Sequence, residues 1–123
     1  MPAMNEENSI VKMVSSVVRA GYTIIVVDDA SVDKTAVLAK SAGAVVLSTV
    51  KNLGAWKATQ AGIRYAYTNG FDAVITMDAD GQHNTHDIPK LITASKNGAD
   101  VVIGNCTERG SRGRHVAWPF FKA

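Results

Sequence analysis

An α/β domain with a mostly parallel sheet and helices on both faces is what this sequence predicts, on three observations. Four apolar, β-branched runs, "YTIIVVDD", "AVVLS", "DAVITMD" and "DVVIGN", show little alternation, which marks strands buried on both faces. Stretches of helical period separate them. The order, helix then strand four times over, is the rhythm of parallel strands joined by crossover helices.

The elements follow in order. "NEENSIVKMVSSVVRAG" places Ile10, Met13, Val14, Val17 and Val18 on one helical stripe. Asn5 or Asn8 is its expected cap, Glu6 and Glu7 suit its positive end, and Gly21 ends it. Pro2, Ala3 and Met4 are all that remains for a strand before it, so the chain is expected to open on the helix. "YTIIVVDD" is the first long strand. "ASVDKTAVLAKSAG" is a turn and a short helix closed by Gly43, with Asp33 as its cap. "AVVLS" follows as a strand. "AWKATQAGIRYAYTNG" is a helix whose small Ala58, Ala61 and Gly62 allow close packing on a sheet. "DAVITMD" is a strand. Thr85 or Asp87 opens the next helix, Pro89 lies early in it where proline is tolerated, and Asn97-Gly98 ends it. "DVVIGN" is the last expected strand. The remaining "CTERGSRGRHVAWPFFKA" has little periodicity and no expected strand.

A length of 123 residues suits one domain with a real core. The chain is 46% hydrophobic and 20% charged, which excludes a disordered chain. The net charge of +2 is uneven: residues 1–106 carry nine Lys/Arg against ten Asp/Glu, and 107–123 carry four against Glu108 alone. The expected division is therefore a domain over 1–106 and a basic C-terminal tail over 107–123. Such a tail is either a solvated end or a contact for phosphates or a membrane surface. Cys106 is the single cysteine, so no internal disulfide and no cysteine zinc site is expected. No apolar run approaches the roughly 20 residues of a membrane helix. The first residues are polar and acidic, unlike a signal peptide. A cytoplasmic location is expected.

Ligands of open parallel sheets bind beyond the carboxyl ends of the strands. Two strands here end in acids, Asp28-Asp29 and Asp78-Ala79-Asp80. Carboxylates that converge at one rim are strained unless they are solvated, hydrogen-bonded or bound to a cation. One reading gives Asp78 and Asp80 a magnesium or manganese ion whose remaining ligands are diphosphate oxygens, with Gln82 adding an amide oxygen. The other makes Asp78 a turn cap and Asp80 a solvated side chain. Asp29 could accept hydrogen bonds from ribose hydroxyls or a base N–H. His83 and His86 flank the acidic loop and read first as loop histidines. Lys51 and Asn52 either approach an anion at a helix start or simply form the entry loop. Trp56 and Trp118 read as packing rather than stacking platforms.

Four motifs then coincide in order: "PAMNEE" (2–7), "IIVVDDASVDKT" (24–35), "KNLGAWKATQAG" (51–62) and "MDADGQH" (77–83). Together they resemble the family-two glycosyltransferases of the Rossmann-like GT-A fold, and most of all the dolichol- or polyprenyl-phosphate mannosyl- and glucosyltransferase branch. The resemblance runs from residue 2 to about Gly104. It implies a nucleotide-sugar donor (a UDP- or GDP-sugar), Mg²⁺ or Mn²⁺ as cofactor, and inverting transfer to a polyprenyl phosphate or a saccharide. It places Pro2, Ala3, Asn5 and Glu7 along the nucleotide and Asp29 on the base or ribose. It places Asp78 near sugar and ribose, and Asp80 and Gln82 on the metal, with Asp78 and Asp80 as the catalytic pair. The implied partners are the donor and a lipid-phosphate acceptor that brings peripheral membrane contact, but no nucleic acid.

The departures from the pattern carry expectations too. Members of that family begin with a full apolar strand before "PA" and continue into acceptor-binding elements that supply a catalytic base. Here the acceptor half is missing, "GNCTERG" stands where "GSR" is common, and Glu108 is the only acid after Asp100. Donor binding without transfer by this chain alone is expected, with a homo-oligomer covering the exposed edge. The other readings are a non-catalytic nucleotide-binding or oligomerising module, a receiver domain and a sugar nucleotidyltransferase. The acid pair stands too late for a receiver, and a nucleotidyltransferase needs an N-terminal glycine-rich loop.

Overall fold

The computed structural model describes residues 1–81, 83–105 and 117–122, the last six and Asn105 by their backbone only, and among these described residues there are six strands and four helices. In order they are β1 (Pro2–Ala3), α1 (Ile10–Arg19), β2 (Ile25–Asp28), α2 (Thr35–Ser41), β3 (Val45–Ser48) and α3 (Ala55–Thr68). There follow β4 (Ala73–Ile75), a 3-10 turn (Thr85–Asp87), α4 (Ile88–Lys96), β5 (Val101–Asn105) and β6 (Ala117–Lys122). Every helix and strand expected between residues 10 and 105 is present. None of the described helices is long and apolar enough to cross a membrane.

The strands form two three-stranded sheets rather than one. The first has the order β1-β2-β3 and is parallel throughout. The second has the order β4-β6-β5, with β6 antiparallel to both neighbours. Two expectations are corrected here. The chain opens on a strand after all: Pro2 pairs with Val27 and Ala3 with Asp28, because two residues suffice where a longer strand offers them a template. The segment given no strand also forms one, β6, whose backbone is completed from both sides by β4 and β5. The cap of α1 differs as well. Its N-cap is Ser9, without a side-chain cap bond, so neither Asn5 nor Asn8 takes that place.

Successive residues of β2 face opposite sides of the first sheet. Val26 joins Ile10, Met13, Val14 and Val17 of α1 and Ala39 of α2 in the main core. Val27 faces α3, where Gly62 comes so close that a Cβ there would stand 3.2 Å from the Val27 Cγ2 atom. Helices thus lie on both faces, and the small residues of α3 serve the close approach. Gly62→Leu is predicted to push α3 off β2 and destabilise the fold by about 1–3 kcal/mol. Urea unfolding measures it, and a midpoint equal to that of the unaltered chain would refute the close contact.

Met1 extends the pairing of β1. Its carbonyl accepts the Val27 N–H at 2.9 Å and its ammonium donates to the Ile25 carbonyl at 3.0 Å. Burial lowers the pKa of this ammonium from 8.0 to about 6, against the opposing attraction of Asp78. Between those values the unfolded chain holds a proton that the folded chain has shed, so stability rises with pH from 6 to 8. The full effect of two pKa units is about 2.7 kcal/mol. Unfolding midpoints at pH 5.5, 7 and 8.5 are expected to climb for the chain that starts at this amine. Acetylating the amine should flatten that climb, and an equal climb in the acetylated chain would assign it to another group.

Candidate donor site at the strand ends

The carboxyl ends of β1 and β2 lie side by side at the rim of the first sheet, and the chain beyond β4 enters the same core. Ala3 pairs with Asp28, and Met77 and Ala79 of the "DAD" segment belong to the core cluster that holds Ala3. Asp78 is close enough for its charge to act on the Met1 ammonium. The loops that leave β1 and β2 hold the two non-glycine residues with positive φ among those described, Asn5 at 54° and Ala30 at 60°. Asparagine tolerates that region, whereas alanine at such an angle stores roughly 1–2 kcal/mol of strain.

The two loops leaving β1 and β2 are stitched together by the side chains that the resemblance assigns to the nucleotide. The Val32 N–H donates to Asn5 Oδ1 at 2.9 Å, and the Asn5 N–H to Ser31 Oγ at 3.0 Å. The Lys34 N–H donates to Glu7 Oε2 at 3.2 Å, and the Glu7 N–H to Asp33 Oδ2 at 3.1 Å. The N-cap of α2 is Lys34 rather than the expected Asp33, whose Oδ1 nevertheless accepts the Thr35 N–H at the start of the helix. Burial raises the Asp33 carboxyl, but its bonds from Thr35 and Glu7 outweigh that and hold it below the ordinary value. Asn5 and Glu7 therefore fix the rim's shape. Ala3 packs into the core, while Pro2 is half-buried beside it.

Asp28 and Asp29 are both buried, yet their partners differ sharply. Asp29 Oδ1 accepts the Leu53 N–H at 2.8 Å and the Thr49 hydroxyl at 3.1 Å, and Oδ2 accepts the Gly54 N–H at 2.8 Å. Three of roughly four acceptor positions on this carboxylate are thus in use. Burial pushes its pKa up, but the Leu53 and Gly54 amides and the Thr49 hydroxyl overcome this and leave it below the ordinary carboxylate value. The carboxylate also stands at the N-terminus of α3, where the helix dipole favours negative charge. Gly54, at φ 84°, makes the turn that presents these amides. Asp28 is the opposite case: its Oδ1 is buried with no hydrogen-bond partner among the described residues. A buried carboxylate oxygen left so costs several kcal/mol unless a ligand completes it. The sequence offered "DD" as a pair, and only this difference in partners separates the two acids.

In the "DAD" segment, the Asp78 side chain is 53% exposed and approaches the buried His83, with 3.7 Å between Asp78 Oδ2 and His83 Nε2. The Asp78 N–H donates to His83 Nδ1 at 3.4 Å. His83 thus packs beneath the acidic loop, a contact that its reading as a plain loop histidine did not include. Asp80 is exposed. Gln82, Cys106, Glu108 and the basic tail up to 116 lie outside the described residues. Among those described, no group of three or more His, Cys, Asp or Glu side chains converges on one point. The oxygen donors of Asp78 and Asp80 fit Mg²⁺ or Mn²⁺, ions that take few carboxylates and complete their shells with water and substrate phosphates. Lys51 and Asn52 lie in the loop that Asp29 anchors, and Asn52 Oδ1 also accepts the Gly54 N–H.

Comparison with known proteins bears on this geometry. Residues 1–121 match the model of "Glycosyl transferase family 2". The chain is 35% identical to the dolichol-phosphate mannosyltransferase of Pyrococcus furiosus, over 99% of this chain and 36% of that protein. It is 38% identical to the undecaprenyl-phosphate mannosyltransferase of Micrococcus luteus, over 78% of this chain and 40% of the other. Among solved structures, glucosyl-3-phosphoglycerate synthase of Mycobacterium tuberculosis, in complex with Mn²⁺, UDP and glucosyl-3-phosphoglycerate, superposes with a TM-score of 0.71 at 25% identity. That match covers 90% of this chain and 43% of the other. The chain thus spans well under half the length of these three proteins. The parallel β1-β2-β3 sheet with helices on both faces, the acids at its rim and these likenesses agree on a Rossmann-like GT-A domain, and the chain belongs to glycosyl transferase family 2.

Proposed function

We propose that this chain binds a nucleotide-sugar donor, a UDP- or GDP-sugar, through a divalent cation at the rim of β1, β2 and β4. The observation that carries the proposal is Asp28, whose buried Oδ1 has no hydrogen-bond partner among the described residues. An N–H or hydroxyl of the nucleoside completes that oxygen. Asp29 holds the loop before α3, and Asn5 and Glu7 hold the loop before α2, so the pocket is set before the donor arrives. Asp78 and Asp80, with Gln82, hold Mg²⁺ or Mn²⁺ on the diphosphate. The ion supplies Lewis-acid stabilisation of the charge on the departing phosphate. The relatives' names support a polyprenyl phosphate as acceptor, and the synthase crystallised with Mn²⁺ and UDP supports the donor and metal. Inverting transfer and a cytoplasmic setting complete the reading; the division at 106 does not hold, because β6 (Ala117–Lys122) is paired between β4 and β5.

Calorimetry tests it with UDP, GDP and their sugars, each in Mn²⁺ and in chelator. Binding of at least one nucleoside diphosphate that needs the metal is expected. Asp28→Asn is expected to weaken that binding by roughly tenfold or more, the effect of losing one hydrogen bond to a charged acceptor. No binding of either nucleotide in millimolar Mn²⁺ or Mg²⁺ would end the donor reading.

A further inference from the structure

A groove of about 660 Å³ runs between α1 and the segment that leads into α4. Lys12, Ser16 and Arg19 line it from α1, at positions i, i+4 and i+7 of one helix face. Asn84, Thr85 and His86 line it from the other wall. The Ser16 hydroxyl donates to Thr85 Oγ1 at 3.0 Å and joins the two walls, which leaves the Thr85 proton for the groove. Asn84 Oδ1 accepts the His86 N–H at 3.1 Å, so the Asn84 NH2 group stays uncommitted. Arg19 Nε donates to the Ser15 carbonyl at 3.1 Å, and its terminal amino groups make no further bond among the described residues. No acid is among the lining residues. Lys12, Arg19 and His86 form no ion pair among the described residues, and Asp87, beside His86, is engaged by Lys90 at 2.8 Å.

We infer that this groove binds a phosphate monoester. Positive charge left uncompensated around a concave surface concentrates anions there. Lys12 and Arg19 start about 10 Å apart along α1, and both side chains are long enough to meet over Ser16 between them. The number and spread of the donors select the anion. Ammonium, guanidinium, hydroxyl, amide and imidazole groups face the groove from two walls, which suits the three terminal oxygens of a phosphate monoester better than the two of a carboxylate. The volume falls within the roughly 300–1,000 Å³ of small-molecule sites, more than a bare phosphate needs. The organic part of the ester rests on Met13, Ala20 and Pro89. Asp78 and Asp80 are not among the lining residues, so this site is separate from the donor site and does not rest on that reading. A soluble ester and a lipid headgroup carry the same chemistry, and the experiment separates them.

Titration of the isotope-labelled full chain with glycerol 3-phosphate, followed by nuclear magnetic resonance, tests the site. Saturable shifts are expected at the Ser16, Thr85 and His86 amides. Lys12 and Arg19 are exposed, so Lys12→Gln and Arg19→Gln are expected to fold as the unaltered chain does. They should weaken binding about fivefold each and roughly twentyfold together. Vesicles of phosphatidylcholine, with and without phosphatidic acid, identify the source. Shifts with glycerol 3-phosphate and no retention on phosphatidic acid assign a soluble ester. Retention on phosphatidic acid that the double variant loses assigns a headgroup. Neither saturable shifts at those amides nor retention would overturn the site. So would equal shifts in sodium chloride of the same ionic strength, or an unchanged response in the double variant. UDP and GDP binding in Mn²⁺ is expected to be the same in the double variant, which keeps a failure here apart from a failure of the donor reading.

Discussion

Asp80→Ala is expected to abolish the metal dependence of nucleoside-diphosphate binding. Asp80 is exposed and stands in the loop after β4, so its loss leaves the core untouched and the melting temperature nearly unchanged. The effect falls on the cation. With Asp80 gone, Asp78 alone supplies a carboxylate to an ion that already depends on few protein ligands, and even outer partners of a metal are worth about 10–100-fold in affinity. A loss of at least that size in Mn²⁺-supported UDP or GDP binding is expected, down to the level seen in chelator. Asp72→Ala, an exposed acid at the other end of β4, serves as the control and should bind as the unaltered chain does. Calorimetric titrations of the two variants in Mn²⁺ decide it. Equal affinity in Asp80→Ala and Asp72→Ala would remove Asp80 from the metal site.

Periodicity made the helices and long strands legible, because Ile10, Met13, Val14 and Val17 or Ile24 to Val27 carry their burial pattern in the sequence itself. β1 and β6 were not legible for a different reason. Two residues, Pro2 and Ala3, hold no pattern at all, and their strand exists only because β2 offers partners. In β6, Pro119 argues against a central strand, since it has no N–H to give. The structure accommodates it because β4 pairs only with Phe120 to Lys122, so Pro119 has a strand partner on one side alone, Ile103. The same limit applies to the site. Acids at the strand ends were visible as residue types, but the division of labour between Asp28 and Asp29 depends on the Leu53 and Gly54 amides, which lie some 25 residues away. The stitching roles of Asn5 and Glu7 are likewise long-range. His83 gave no signal beyond its closeness in sequence to Asp78.

Asp29→Ala is expected to cost more stability than any other single change at the rim, about 2–4 kcal/mol. The carboxylate is buried and accepts two backbone N–H groups and a hydroxyl, and hydrogen bonds to charged groups are worth about 1.5–3 kcal/mol each. Alanine strips the Leu53 and Gly54 amides of their acceptor at the start of α3 and removes a charge that the helix dipole favours. Asparagine does little better, because its amide group can meet only one of those donors with an oxygen. The pH dependence has a definite sign. The folded pKa lies below the unfolded one, so the stabilisation is present above the ordinary carboxylate value and is lost as pH falls through the folded pKa. Urea unfolding at neutral pH, with hydrogen exchange at Leu53 and Gly54, measures both the energy and the place. A variant within 0.5 kcal/mol of the unaltered chain, with both amides still protected, would show that Asp29 does not hold this loop. Its one remaining acceptor position would then leave contact with the nucleoside as its principal task.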